Sequence, residues 1–296
     1  MDQDIVKRLA QQIGGSVIGL GSGARGGSGV VVETDRVLTL ARNLHAAAVE
    51  VRFGGDRRAD GDVLGTDWDV DLAVVAVSTE GAQPVAWAPD GAELVIGSPV
   101  IALGDPAGQG LRVTAGALSA APRSVRGPRG RLIDGVLEHT APLPRGAGGG
   151  PLVDTEGRLL GLNAVRQRGG LLLAWPASAL RERARALIAG QATAPPRLGV
   201  VLAPPRLARR LRASVGLPEH DGLLVRAVDD AGAAQSAGLL RGDLIVEAGG
   251  DPVRSVDDLY AALDAAGASK ALTLTVLRGT DRRELSVSFD AGQEGS

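Results

Sequence analysis

From about residue 14 to residue 176 the chain is a succession of short apolar runs, each closed by Gly, Asp or Pro. Gly29-Val30-Val31-Val32, Val37-Leu38-Thr39-Leu40, Leu72-Ala73-Val74-Val75-Ala76-Val77 and Val100-Ile101-Ala102-Leu103 are of strand length and rich in β-branched residues. Regularly spaced short strands with turn signals between them predict an all-β barrel or sandwich. From Pro176 to Ile188 the pattern changes. Leu180, Ala184, Leu187 and Ile188 recur at helical spacing among arginine and glutamate, so a helix closes this unit. Gly190 to Pro196, with Ala, Thr and two prolines, reads as a linker. Beyond it, strand-like runs (Leu223-Leu224-Val225, Asp243-Leu244-Ile245-Val246, Leu272-Thr273-Leu274-Thr275-Val276) surround a helix-like stretch from Ser255 to Ala266. Ser255 as N-cap with Asp258 three residues on is a form of the capping box. The expected organisation is 1–189, a linker at 190–196, a second domain at 197–290 and a polar tail at 291–296.

Composition narrows the function classes. Aromatics are only 2% of 296 residues, so the core is built from Val, Leu, Ile and Ala. A net charge of -2 gives no electrostatic case for nucleic acid or an anionic membrane. Without cysteine there is no disulfide, thiolate zinc site or cysteine nucleophile. The opening Met1-Asp2-Gln3-Asp4-Ile5-Val6-Lys7-Arg8 is acidic and is followed by no apolar run of signal-peptide length. No stretch approaches the ~20 apolar residues of a membrane span. Cytoplasmic residence is the expectation, with no cofactor. The histidines, His45, His139 and His220, are scattered without carboxylates at ligand spacing, so no metal site is expected either.

A glycine cluster, Gly146-Ala147-Gly148-Gly149-Gly150-Pro151-Leu152, carries the chemistry. No G-K-[ST] follows it, and Pro151-Leu152-Val153 reads as a strand, so a phosphate cradle is disfavoured. The cluster resembles the G-N-S-G-G-P-L motif of HtrA (Deg) proteases. Gly27-Ser28-Gly29-Val30, Asp67-Trp68-Asp69-Val70-Asp71-Leu72-Ala73-Val74-Val75, Ile101-Ala102-Leu103-Gly104-Asp105-Pro106 with Val113-Thr114-Ala115-Gly116, and Gly161-Leu162-Asn163 resemble further segments of that family in the same order. The resemblance implies a mainly β fold, a chymotrypsin-like double β-barrel followed by a smaller α+β PDZ domain.

It also implies where a Ser–His–Asp triad belongs. Asp71 fills the aspartate position. Arg42, after Val37-Leu38-Thr39-Leu40-Ala41, stands where the histidine belongs, and Gly148 where the serine belongs. Glycine has no oxygen to form an acyl-enzyme. Guanidinium stays protonated far above neutrality and cannot act as general base. An Asp71–Arg42 ion pair is expected in place of the Asp–His pair. His45 would reach the catalytic slot only by a register slip that displaces Val37-Leu38-Thr39, and it is expected at the surface or half-buried. By position the oxyanion-hole relict is the amides of Gly146 and Gly148.

The second unit resembles a PDZ domain through Arg197-Leu198-Gly199-Val200, Asp221-Gly222-Leu223-Leu224-Val225 and Ala237-Gly238-Leu239 with Gly242-Asp243-Leu244-Ile245. The resemblance implies strand addition of an extended peptide. The amides of Leu198, Gly199 and Val200 would receive its carboxylate, and Leu259 or Leu263 would line the groove. The resulting expectation is an inactive protease homologue that binds peptide C-termini or unfolded polypeptides, as scaffold, chaperone-like binder or partner of active HtrA relatives. An HtrA-type serine endopeptidase of protein quality control and a structural assembly subunit are the alternatives. HtrA proteins are often trimers, but residues 1–16 lack the aromatics that such contacts use, so the oligomeric state stays open.

Overall fold

The computed structural model describes residues 3–21, 26–128, 130–166, 171–190, 198–230, 232–266 and 271–289. The expected linker and tail lie outside these residues except for Gly190. The chain divides into two compact units, Met1–Ala192 and Thr193–Ser296.

The first unit opens with α1 (Gln3–Ile13), an element the sequence reading did not anticipate. Ile5, Leu9 and Ile13 fall four apart on one face, and Leu9 and Ile13 are buried. Strands β1 (Val17–Leu20), β2 (Gly27–Glu33), β3 (Arg36–Thr39), β4 (Ala48–Arg52), β5 (Arg58–Asp67) and β6 (Leu72–Ala76) then close a barrel in the order β1-β2-β3-β6-β5-β4. Closure comes from β1 against β4, where Gly19 pairs with Arg52. The near-continuous burial of β2, β3 and β6 follows from their Val and Leu content, with Ile18, Leu20, Val37, Val51 and Val75 in one of the barrel's cores.

A second sheet follows: β7 (Pro99–Gly104), β8 (Arg112–Ala117), β9 (Arg123–Arg126), β10 (Leu132–His139), β11 (Pro151–Val153), β12 (Leu159–Arg166) and β13 (Leu172–Pro176). Its order is β8-β7-β11-β12-β13-β10-β9. An isolated antiparallel bridge between Leu118 and His139 ties the end of β8 back to β10 and curls the sheet on itself. Helix α2 (Ala177–Ile188) starts at Pro176, whose fixed φ suits a helix entry, and buries Leu180, Ala184 and Leu187.

The second unit comprises β14 (Val200–Ala203), α3 (Pro205–Ala213), β15 (Leu223–Val228), α4 (Ala233–Ser236), β16 (Leu244–Ala248), β17 (Asp251–Pro252), α5 (Val256–Ala266), β18 (Ala271–Arg278) and β19 (Asp281–Ser288). Its sheet runs β14-β15-β16-β18-β19, which leaves β14 at one edge. The capping box at α5 is complete. Ser255 Oγ accepts from Asp258 N at 3.2 Å, and the Ser255 amide donates to Asp258 Oδ2 at 2.7 Å.

Candidate functional site

The loop 146–150 enters β11 and is held from both sheets of the first unit. Gly148 O accepts from Ser28 N and from Asn43 Nδ2, each at 2.9 Å. Gly149 N donates to Asn163 O at 2.8 Å, and Asn163 N returns a bond to Gly150 O at 2.9 Å. Ser28 Oγ donates to Gly146 O at 3.2 Å and accepts from Asp105 N at 2.9 Å. Buried backbone groups need such partners, so the loop is fixed by its carbonyls even without a side chain at 148.

The glycines of this loop are not equivalent. Gly146 and Gly149 have φ of +83° and +90°, where a side chain is strained. A Cβ on Gly149 would lie 2.2 Å from Ser28 O, and one on Gly150 2.2 Å from Leu103 O. Gly148 has no such demand. Its φ is not positive, and the nearest atom to an added Cβ is Leu40 Cδ1 at 3.3 Å. The backbone therefore admits a Cβ, at the position where the family motif has serine, once the Leu40 side chain gives by a few tenths of an ångström.

Arg42 sits in a 3₁₀ turn, Ala41–Asn43, directly after β3. Its Nε lies 2.5 Å from Asp71 Oδ2, and its amide donates to Asp71 Oδ1 at 3.0 Å. The Asp71 side chain is 1% exposed and that of Arg42 43%. Burial pushes the Asp71 carboxyl up from 3.8, a shift that the Arg42 guanidinium and amide only partly offset. Asp71 itself has φ +52° and is pinned by Ala41 N donating to its carbonyl at 3.1 Å. Two neighbouring carboxylates are paired in the same way. Asp69 meets Arg131 at 2.6 Å, and Asp67 meets Arg183 of α2. The segment 67–71 thus carries three carboxylates, each held by an arginine from a different element.

His45 is exposed in the loop after Leu44 and has no place in this arrangement. His139 is fully buried on β10, and burial pushes its imidazole down to about 4, so it is neutral at pH 7. Its ring nitrogens make no hydrogen bond of normal geometry, although Asn163 lies close enough to offset part of that shift. His220 is exposed in the second unit. Among the described residues no cluster of three or more His, Cys, Asp or Glu has the arrangement of a metal site.

In the second unit Gly199, at φ +74°, turns the chain into the edge strand β14. Leu198 O accepts from Ala234 N and Gly199 O from Asp229 N, each at 2.9 Å. Leu259 and Leu263 are each 3% exposed and belong to the domain core together with Leu198. They are a floor, not an open lining. The half-buried side chains of Val200, Leu202, Val256 and Tyr260 pack against the same core. The last two were not singled out in the sequence, although Val256 and Tyr260 lie four apart on α5.

A closed barrel joined to a second curled sheet, with Asp71 held against the turn after β3 and a glycine loop before β11, defines a trypsin-like peptidase fold. The family model for the trypsin-like peptidase domain matches residues 27–162, and that for the PDZ domain matches residues 196–289. The chain is 33% identical over 276 residues to a putative serine protease HhoA of Synechocystis, covering 88% of this chain and 69% of that protein. A probable periplasmic serine endoprotease, DegP-like, of Brucella suis is 28% identical over 91% of this chain, which spans only 54% of that relative. Among solved structures, the HtrA-type protease AlgW with a decapeptide superposes with a TM-score of 0.71 at 22% identity, covering 96% of this chain and 97% of that one. A serine endoprotease from Yersinia pestis gives 0.68 at 22%, covering 96% of each chain. The chain belongs to the HtrA-type serine protease family.

Proposed function

We propose that this chain is a non-proteolytic member of its family that binds polypeptide termini or unfolded segments through its C-terminal domain. The observation that carries the reading is Gly148. The backbone there accommodates a side chain, yet the residue supplies no nucleophile. Arg42 supports it further, since a guanidinium ion-paired to Asp71 neither takes nor returns a proton at neutral pH. An oxyanion hole and substrate binding without a triad leave ~10³–10⁴-fold acceleration over water, far below what a working protease needs. For the binding role, the support is the edge position of β14, the PDZ model match, and a structural relative solved with a decapeptide.

A second reading is an HtrA-type serine endopeptidase, and the comparisons favour it, because the relatives are named as serine proteases. It requires a nucleophile outside the motif position. Exposure to a fluorophosphonate probe, with unfolded casein as substrate, separates the two readings. The proposed function predicts no labelled serine and intact casein.

A further inference from the structure

We infer that a cavity between the start of β1, the turn after β4 and the turn that joins β7 to β8 binds the primary ammonium group of an alkyl chain, with Asp105 as its anion. The inference goes beyond the proposed function and does not rest on it. The cavity has a volume of about 310 Å³. Val17, Phe53 and Leu111 give it apolar walls, and Gly54, Asp105 and Gly110 are among the residues that line the rest. Asp105 is only 4% exposed. Its Oδ1 accepts from Gly110 N at 2.8 Å. Among the described residues Oδ2 has no hydrogen-bond partner, yet it is not sealed in protein, and Asp105 forms part of the cavity wall.

The charge on Asp105 serves no structural end that a neutral group could not. Holding the turn takes one acceptor for Gly110 N, which an asparagine oxygen supplies equally. A buried carboxylate without a counter-ion is costly. Burial pushes this carboxyl up from 3.8, and Gly110 N, Arg112 and Arg52 only partly offset the shift. The arginines nearby are bound elsewhere. Arg52 Nε meets Glu50 at 2.6 Å, and Arg112 Nη1 donates to the carbonyls of Gly110 and Leu111 at 2.9 and 3.2 Å. Arg57, stacked on the Phe53 ring, donates to the carbonyls of Ser78 and Thr79. The cavity thus presents a desolvated anion that no side chain of the described residues pairs with.

The single free oxygen selects the kind of cation. A guanidinium binds a carboxylate best through two parallel bonds, and here Oδ1 is already engaged. A divalent metal ion such as calcium collects about six or more oxygens, whereas Asp105 is the one carboxylate among the residues that line the cavity. A primary ammonium is a compact charge with three donors, and one good acceptor oxygen suffices to hold it. Its alkyl chain lies against Val17, Phe53 and Leu111, as lysine stems lie on apolar surface. A free alkylamine and a lysine side chain of a polypeptide share this chemistry.

The test follows the amide signals of Gly108 and Gly110 by NMR in the isotope-labelled full chain at pH 7. The ligands titrated are n-butylammonium, n-butanol, n-butylguanidinium and acetyl-Ala-Lys-Ala-amide. Butylammonium should move both signals and bind at least about tenfold more tightly than butanol, the scale of one hydrogen bond to a charged group. It should also bind more tightly than butylguanidinium. Asp105→Asn keeps an acceptor for Gly110 N and should abolish the preference over butanol. If that variant fails to fold, the unaltered chain still decides the matter. Butylammonium stays charged up to about pH 10. Its affinity should therefore fall as pH drops through the raised value of the Asp105 carboxyl, within the range where the chain stays folded, while that of butanol stays level. The lysyl peptide binding at least as tightly as butylammonium supports the site with a polypeptide lysine as its ligand, and weaker peptide binding supports it with a free amine. Equal binding of butanol, unmoved signals at Gly108 and Gly110, a preference that survives in Asp105→Asn, or an affinity for butylammonium that ignores pH overturns the inference. Tighter binding of butylguanidinium overturns the ammonium assignment.

Discussion

Arg42 Nε lies 2.5 Å from Asp71 Oδ2, and the two members of this pair sit in different surroundings, one side chain 43% exposed and the other 1%. The partners should therefore respond unequally to removal. Arg42→Ala strands a buried carboxylate that keeps only the residue-42 amide. A loss of roughly 1–3 kcal/mol is expected, below the ~3–5 kcal/mol of a fully buried pair because water already reaches the arginine. Asp71→Asn leaves a cation that water can solvate. Because the folded-state pKa of Asp71 is raised above 3.8, the folded protein holds this proton more tightly than the unfolded chain. Its contribution to stability is thus greatest below 3.8 and falls as pH rises through the raised value. Asp71→Asn should remove that decline and leave stability at pH 7 unchanged or higher. Urea unfolding of both variants at pH 4 and pH 7 checks the asymmetry, and equal losses would count against it.

The loop glycines should separate in the same way. Gly148→Ala is expected to change stability by less than about 1 kcal/mol, since only Leu40 Cδ1 must give way. Gly149→Ala combines a positive φ with a contact of 2.2 Å to Ser28 O. A loss of roughly 2–5 kcal/mol follows from strain and overpacking together. Thermal unfolding of the two variants side by side decides whether glycine at 148 is a backbone requirement.

His139 gives the first unit a second pH dependence. Its imidazole is held down at about 4 from 6.5, so between these values the unfolded chain binds the proton and the folded one does not. Stability is full above 6.5 and is lost as pH falls towards 4. The loss from this group is about 3 kcal/mol. His139→Gln, which does not titrate, should flatten the stability profile between pH 7 and pH 4. An unchanged slope would assign the acid sensitivity to the carboxylates.

For the C-terminal domain, Gly199→Pro is the informative change. Proline cannot adopt the φ of +74° found there. Binding of peptides with an apolar C-terminal residue should be lost at β14, while far-UV and thermal signatures of the first unit persist. A variant that keeps full affinity would move the peptide site away from Leu198, Gly199 and Val200.

Much of this was legible in the chain because local rules govern it. β-branched runs became strands, Pro176 began α2, and Ser255 with Asp258 capped α5. The expected Arg42–Asp71 ion pair forms, because the turn after β3 and the segment before β6 are held by strands that pair with each other. What escaped is long-range or depends on degree of burial. The pairing of Asp67 with Arg183 spans 116 residues, and no local signal links them. Spacing leaves Leu259 and Leu263 open to either a groove or a core role, and only the packed structure shows them in one buried cluster with Leu198. Helix α1 carried a signal in Ile5, Leu9 and Ile13, a short stripe whose partner surface, the turn around Gly157, lies far along the chain.

The central claim, that this protease fold does not cleave, is tested most directly by restoring its parts in order. The unaltered chain should leave casein intact and take no fluorophosphonate label. Gly148→Ser alone should remain unlabelled, because Arg42 accepts no proton. Only Gly148→Ser with Arg42→His rebuilds a nucleophile, a base and the retained Asp71. The account predicts label, if anywhere, on Ser introduced at position 148 in that double variant. Stoichiometric labelling of any serine in the unaltered chain, together with casein cleavage, would contradict it.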